Sequence, residues 1–218
     1  MHKPPLIKGI ILAAGLSSRM GECKPLMPVR GKTMIENSID SMLESGVDSV
    51  IVVLGYQGKK IERMLEKRYQ SSVAIVYNND FKTTDMLHSI QIGVQSLGDC
   101  DAFFVLPADM PDIHSSTFQS LMECWVATSC LVAFPCLDKK RKHPPLIDIR
   151  CRDTILFFKG QGGLRSVWHY FEDNIATVSV EDMGCDTDLD TRKDYCSYIE
   201  KYTPGKPAKQ EVGTYGYQ

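Results

Sequence analysis

The sequence has no run of about 18 consecutive apolar residues, the length a membrane-crossing helix needs, so no membrane partner is expected. Its opening, MHKPPLIKGI, has neither a long apolar core nor a small-residue cleavage site, and no secretory leader is read there. No surplus of charge exists. The 25 Lys and Arg residues face 27 Asp and Glu, leaving a net charge of −2 and no footprint for a nucleic-acid partner. No two of the eight cysteines form a Cys-x-x-Cys pair, and the five histidines are scattered, which argues against a zinc site. Without a leader, these cysteines read as reduced thiols and the chain as cytoplasmic. Neither an internal repeat nor a linker rich enough to separate domains is found, so 218 residues read as one domain with a sizeable core.

What is present is an alternation. Residues 8–14 form a short apolar run without polar alternation, the mark of a strand buried on both faces. Ile35, Ile39, Met42 and Leu43 then fall at helical spacing before Gly46. The same pair recurs as a strand at 49–54 with a helix through Ile61, Met64 and Leu65, and as a strand at 73–77 with a helix through Leu87, Ile90, Val94 and Leu97. It recurs once more as a strand at 101–107 with a helix through Phe118, Leu121, Met122 and Trp125. Such alternation predicts right-handed crossover units in a Rossmann-like, doubly wound, mostly parallel α/β sheet. The pattern loosens after Ser129. Strands at 131–134 and 145–149 flank a cationic turn at 138–142, read as a solvated turn before a partner site. A helix through Leu164, Val167, Trp168 and Phe171, a strand at 176–180 and a last helix after Asp190 follow. Residues 1–203 make the domain. Residues 204–218, rich in Gly, Pro, Lys and Gln, make a disordered tail.

Ligands of open α/β sheets bind beyond the carboxyl ends of the strands. The segment leaving the first strand, LAAGLSSRMGECK, is small-residue rich and carries Arg19 and Lys24. Small residues let the backbone approach a ligand closely, so its N–H groups can cradle phosphate oxygens. Two familiar phosphate motifs fail elsewhere. Gly31-Lys32-Thr33 lacks the glycine a P-loop needs where Leu26 stands, and the glycines at 160, 162 and 163 follow no clear strand.

The pattern Leu12-Ala13-Ala14-Gly15-x-Ser17-x-Arg19-Met20-Gly21-x-x-Lys24 resembles the signature of the MobA-like nucleotidyltransferases, and within them the MocA-type cytidylyltransferases of the molybdenum cofactor. Further matches run in order through residues 6–200. They are the segment Asn79-Asp80-Phe81 continuing to Ser89, Asp109-Met110-Pro111, His143-Pro144, Gly162-Gly163-Leu164-Arg165, and Asp188-Leu-Asp190-Thr191. Two departures, Thr84-Asp85 and Lys142 where relatives carry glycine, fall where the second substrate is expected.

The resemblance implies a fold of the nucleotide-diphospho-sugar transferase type and transfer of a nucleoside monophosphate from an NTP, with release of pyrophosphate. It implies catalytic roles for Arg19, Lys24 and Asp109, and a nucleotide site made by Leu12, Ala13, Ala14, Gly15, Ser17, Ser18, Asn79 and Ser89. Mg²⁺ takes hard oxygen ligands. Asp109 is the first candidate, or else a turn aspartate before Pro111. Asp188 and Asp190 are candidates for a second, unless Asp190 only caps the last helix. His143 either contacts the acceptor or is an ordinary loop residue. Arg165 either binds an acceptor phosphate or is a solvated helix charge. Cys23 either gains thiolate character beside Lys24 or only occupies the loop. Ala-Ala-Gly at the loop points within the family to CTP, and the implied acceptor is a molybdopterin-type cofactor. A transient contact with a molybdoenzyme or chaperone goes with that acceptor. Two rivals stand beside it: transfer to another phosphorylated small molecule, a sugar or alcohol phosphate, and a nucleotide-binding chaperone or sensor for cofactor insertion with no turnover.

Overall fold

The run IKGIILA forms β1 (Ile7–Ala13). Ile7, Ile11 and Ala13 turn into one core, Ile10 and Leu12 into another. A strand covered on both faces needs no polar alternation, which accounts for the continuous run. In the computed structural model, which describes residues 3–15 and 22–202, a short hairpin of β2 (Pro28–Val29) and β3 (Lys32–Thr33) follows. Then come α1 (Met34–Glu44), β4 (Ser49–Leu54), α2 (Gly58–Tyr69), β5 (Val73–Tyr77), α3 (Met86–Gln95), β6 (Ala102–Pro107) and α4 (Ser115–Thr128). The later chain adds β7 (Val132–Leu137), β8 (Lys140–Arg141), β9 (Leu146–Asp148), α5 (Arg152–Phe157), α6 (Gly163–Val167), β10 (Ile175–Ser179) and α7 (Arg192–Tyr202).

One sheet takes the order β10-β7-β9-β6-β1-β4-β5, with β8 paired to β7. β1, β4, β5 and β6 are mutually parallel, β9 runs antiparallel to both neighbours, and β10 is parallel to β7. Side chains of α1, α2 and α4 (Ile39, Leu65, Phe118) cover one face. Those of α3, α5 and α6 (Ile90, Ile155, Val167) cover the other. Full burial of each such side chain stabilises by about 1.5–3 kcal/mol. Phe104 of β6 meets Phe118 edge to face at 5.0 Å. The doubly wound, mostly parallel architecture expected from the alternation is the one observed.

Several local readings change. Gly31-Lys32-Thr33 is the turn and second strand of the hairpin, with Gly31 at φ +81° and Thr33 capping α1 through Glu36. The helix expected through Phe171 is shorter. α6 ends at Val167 and a 3₁₀ turn takes over at Trp168–Tyr170. α5, which the sequence did not signal, fills the space beside α3, where Gln91 holds the Ile155 and Phe158 carbonyls. All eight cysteines are free thiols. Among the described residues no helix is long and apolar enough to cross a membrane. The tail expected from residue 204 lies outside the described residues.

Topology fixes where a ligand can sit. From β1 the chain runs outward through β4 to β5, then returns to place β6 on the other side of β1. That reversal opens a crevice at the carboxyl ends of β1 and β6.

Candidate active site

Leu12 and Pro107 are register partners at those carboxyl ends, and the Ala108 N–H donates to the Leu12 carbonyl at 3.0 Å. The segments leaving the two strands are therefore fixed against each other by sheet hydrogen bonds. Ala13 and Ala14 are buried, and Gly55 after β4 packs on Ala14 so closely that a Cβ there would lie 2.6 Å from the Ala14 carbonyl oxygen. Gly15 is exposed, with no described atom within 4 Å of where its Cβ would stand. Ser17, Ser18 and Arg19 lie outside the described residues.

Lys24 re-enters this corner in a 3₁₀ turn and is only 8% exposed. Its ammonium donates to Asp109 Oδ2 at 2.6 Å and to Asp190 Oδ1 at 2.9 Å. Asp109 follows β6. The Leu189 N–H donates to the Asp109 carbonyl at 3.2 Å, which sets Asp188 and Asp190 beside it. Gly184 makes that approach possible, because any Cβ there would overlap the Asp112 carbonyl. Leu189 packs with Met27, Met34 and Tyr198, so α7 and the hairpin clamp the segment. The cap of α7 is Thr191, not Asp190. Thr191 Oγ1 accepts from the Asp194 N–H while the Asp194 carboxylate accepts from the Thr191 N–H. The aspartate that could have been a cap is thereby left to face Lys24.

Negative charge accumulates here. Burial, then the nearby Asp190 and Asp109 carboxylates, push the Asp188 carboxyl above its ordinary range against the pull of Lys24. Among the described residues no three His, Cys, Asp or Glu side chains stand as a ready metal-binding group. The donor chemistry is nonetheless that of a hard divalent cation, and two carboxylates plus a substrate's phosphates complete such a site without an all-protein cage. Burial also pushes the Cys23 thiol above its ordinary range, with the Leu26 N–H opposing, so its place beside Lys24 gives no thiolate.

Asp109 and Asp188 open onto a cleft of about 840 Å³ that Leu12, His143 and Arg165 also line. That size suits one or two small ligands. His143 is exposed to the cleft, and burial of its surroundings lowers its pKa against the attraction of Asp109. Arg165 is exposed, and among the described residues no carboxylate pairs with it. The cationic turn is more than a solvated loop. Asp138 and Lys139 make the positive-φ turn, while Arg141 pairs with Glu172, Lys142 pairs with Asp186, and both line the cleft.

Two expected residues sit differently. Asn79 is exposed, and its neighbour Asn78 is the buried one. Asn78 Nδ2 donates at 3.0 Å to Ser89 Oγ and to Thr84 Oγ1, so buried Ser89 anchors the segment leading into α3. Sequence reading missed Asn78, Arg141 and Phe134. The first was hidden by a second asparagine beside it, and the others by a pairing between strands.

The sequence model described as the MobA-like NTP transferase domain matches residues 9–175. Molybdenum cofactor cytidylyltransferase of Escherichia coli is 28% identical over 200 residues, covering 89% of this chain and 96% of that protein. Nicotine blue oxidoreductase of Paenarthrobacter nicotinovorans is 26% identical over 194 residues, covering 86% and 93%. The solved structure of a nucleotidyl transferase from Methanothermobacter thermautotroptrophicus superposes with a TM-score of 0.74 at 23% identity, covering 90% of this chain and 97% of that one. The first two relatives differ in activity at nearly equal identity, so likeness alone does not choose the reaction within the family.

Proposed function

Because the chain belongs to the MobA-like NTP transferase family, we propose that it transfers CMP from CTP to a molybdopterin-type cofactor and releases pyrophosphate, with Mg²⁺ as the divalent ion. The observation that carries this reading is the buried Lys24 held by the partly exposed carboxylates of Asp109 and Asp190 at the carboxyl ends of neighbouring parallel strands. A bare redox site has no use for a buried cation clamped between two carboxylates, whereas a triphosphate with its counter-ion does.

In this reading an oxygen of the acceptor phosphate attacks the α-phosphorus of CTP. The bond from that phosphorus to the bridging oxygen breaks, and the electron pair leaves on pyrophosphate. A phosphate monoester, with its second pKa near ~6, is already ionised and needs no general base. The backbone from Ala14 onward, with Ser17, Ser18 and Arg19, cradles the terminal phosphates. Lys24 exchanges a carboxylate for the α-phosphate and meets charge that grows toward the leaving group. Asp109, with Asp188 or Asp190, holds the divalent ion, which when bound neutralises phosphate charge as a Lewis acid. His143 and Arg165 hold the acceptor. Positioning and charge neutralisation carry most of the rate.

The test is pyrophosphate release with Mg²⁺ and molybdopterin cofactor, comparing CTP, GTP, ATP and UTP. Release with CTP alone is expected. Release with GTP instead would keep the chemistry and overturn the base choice, and no release with any NTP would remove the pterin acceptor.

A further inference from the structure

The wall of the cleft built by β7 and α6 is aromatic where the other is acidic. Phe134 of β7 meets Trp168, just past α6, at 5.3 Å with the rings 86° apart. This edge-to-face contact is a favoured aromatic geometry and holds the indole at a set angle. Trp168 is half-buried, packed on its inner side against the core, and lines the cleft. The chain's other tryptophan gives its indole N–H to Asp148 at 2.9 Å. The Trp168 N–H goes to no protein group among the described residues, so one polar handle of the wall stays open to a ligand.

Charge on this wall is selectively committed. Arg141 is held by Glu172 and lies 5.7 Å over the Phe134 ring, and Lys142 is held by Asp186. Arg165 alone among the cleft-lining Lys and Arg side chains described has no carboxylate partner. It stands three residues before Trp168 across the α6 turn, a spacing that puts both on one side. Among the described residues lining the cleft there is no Ser, Thr, Asn, Gln or Tyr. The polar side chains that line it are charged or histidine, several of the charged ones already paired with one another, and beside them lies an aromatic surface that a flat ring system can cover.

We propose that Trp168, braced by Phe134, is a specificity-determining platform for the acceptor. Together with Arg165 it selects a planar heteroaromatic ring bearing a phosphate monoester over a sugar or aliphatic phosphate. The ring packs on the indole and the phosphate meets the guanidinium. This rests on the transferase reading of the same cleft and adds to it the feature by which the acceptor is chosen.

Calorimetric titration of the full chain tests it, with a pterin phosphate monoester, the same pterin without phosphate, glucose 1-phosphate and CTP as probes. Trp168→Leu is expected to weaken pterin phosphate binding about tenfold, the scale of one lost ring-stacking contact, with CTP binding within about twofold of the parent. Trp168→Phe keeps a ring and is expected to keep most of the affinity, which separates recognition from a folding defect. Arg165→Gln is expected to weaken the phosphorylated pterin and leave the phosphate-free pterin unchanged. Unchanged pterin phosphate binding in Trp168→Leu would overturn the proposal, as would glucose 1-phosphate binding as tightly as pterin phosphate to the parent. Pterin binding lost with Trp168, but no pyrophosphate release with any NTP, would keep the platform and remove the transferase reading. Release with the pterin that ignores Trp168→Leu would do the reverse.

Discussion

The two walls of the cleft handle charge in opposite ways. Behind the wall at the ends of β1 and β6, the Lys24 side chain is 10% exposed and joins Asp109, which lines the cleft, to Asp190. On the wall of β7 and β8, Arg141 is 39% exposed and Glu172 54% exposed, and they meet as a simple pair. Burial decides how much each arrangement matters. Charges in a low-dielectric corner act strongly on one another and on an incoming phosphate, while an exposed pair is screened by water and salt. Lys24 is thus the more constrained of the two cations, and the Arg141 pair can change its contacts with less effect on the fold.

The sharpest way to break this contrast is Asp109→Ala. If Asp109 is part of the transfer machinery, pyrophosphate release falls about 1,000-fold, the scale of losing one preorganised charge-stabilising group. The melting temperature should barely move, because one of three crowded carboxylates is removed and Lys24 keeps Asp190. Near-parental turnover would remove Asp109 from the site.

Lys24→Ala comes next, with turnover down about 100-fold. It also removes the cation between Asp109 and Asp190, so the variant should melt earlier than the parent without divalent ions. Added Mg²⁺ should raise its melting temperature more than it raises the parent's, since binding to the folded state alone stabilises it by mass action. An equal Mg²⁺ effect on both proteins would show that Lys24 and the ion do not share these carboxylates.

The fold was legible because each central strand is covered on both faces. The short apolar runs at 8–14, 49–54 and 101–107, in a chain that also spaces Ile35, Ile39 and Met42 helically, became β1, β4 and β6 within one residue of those bounds. Lys24 and Asp109 stand out in the sequence only through the motifs they resemble. Their direct contact was not legible, because it joins positions 85 apart and depends on how the strands are ordered. Whether Asp190 caps or faces the site turned on Thr191 and Asp194, where two short polar residues compete for one cap. Asn78 and Asn79 differ only in which side of the chain turns inward after β5. The pairing of Arg141 with Glu172 needed the β7–β8 hairpin, whose turn residues, Asp138 and Lys139, adopt positive φ without a glycine to announce it.

A middle case asks whether burial strengthens charge on the second wall's supports as well. Asp148, at the end of β9, is 5% exposed. Its burial alone would raise the carboxyl pKa. The Arg150 guanidinium and N–H and the Trp125 indole more than offset that and hold it below its ordinary value. A carboxyl depressed on folding stabilises the protein above its unfolded pKa, about 3.9, and that contribution fades as pH falls through the lower folded value. Asp148→Asn should therefore destabilise by about 2 kcal/mol at neutral pH, in the range of hydrogen bonds to a charged group. Thermal melts across pH should show the gap to the parent closing below about pH 3.9. A gap that stays constant with pH would mean that packing, not charge, makes the difference.

Arg141→Gln should have the smallest effect. The guanidinium gives two hydrogen bonds to Glu172, at 3.3 and 2.8 Å, and lies over the Phe134 ring, so a contact list would rank it beside Lys24. Exposure says otherwise. Water replaces both hydrogen bonds when the side chain is shortened, and the glutamine stem still covers some of the ring. The melting temperature should stay within about 2 °C of the parent's, less than a 1 kcal/mol change would produce in a domain of this size. The acceptor KM should rise no more than about threefold, through a looser Phe134 beneath Trp168 and not through a lost phosphate contact. A tenfold rise confined to phosphorylated acceptors would put Arg141 beside Arg165 as a direct phosphate ligand, and the second wall would then use buried-type charge recognition as the first does.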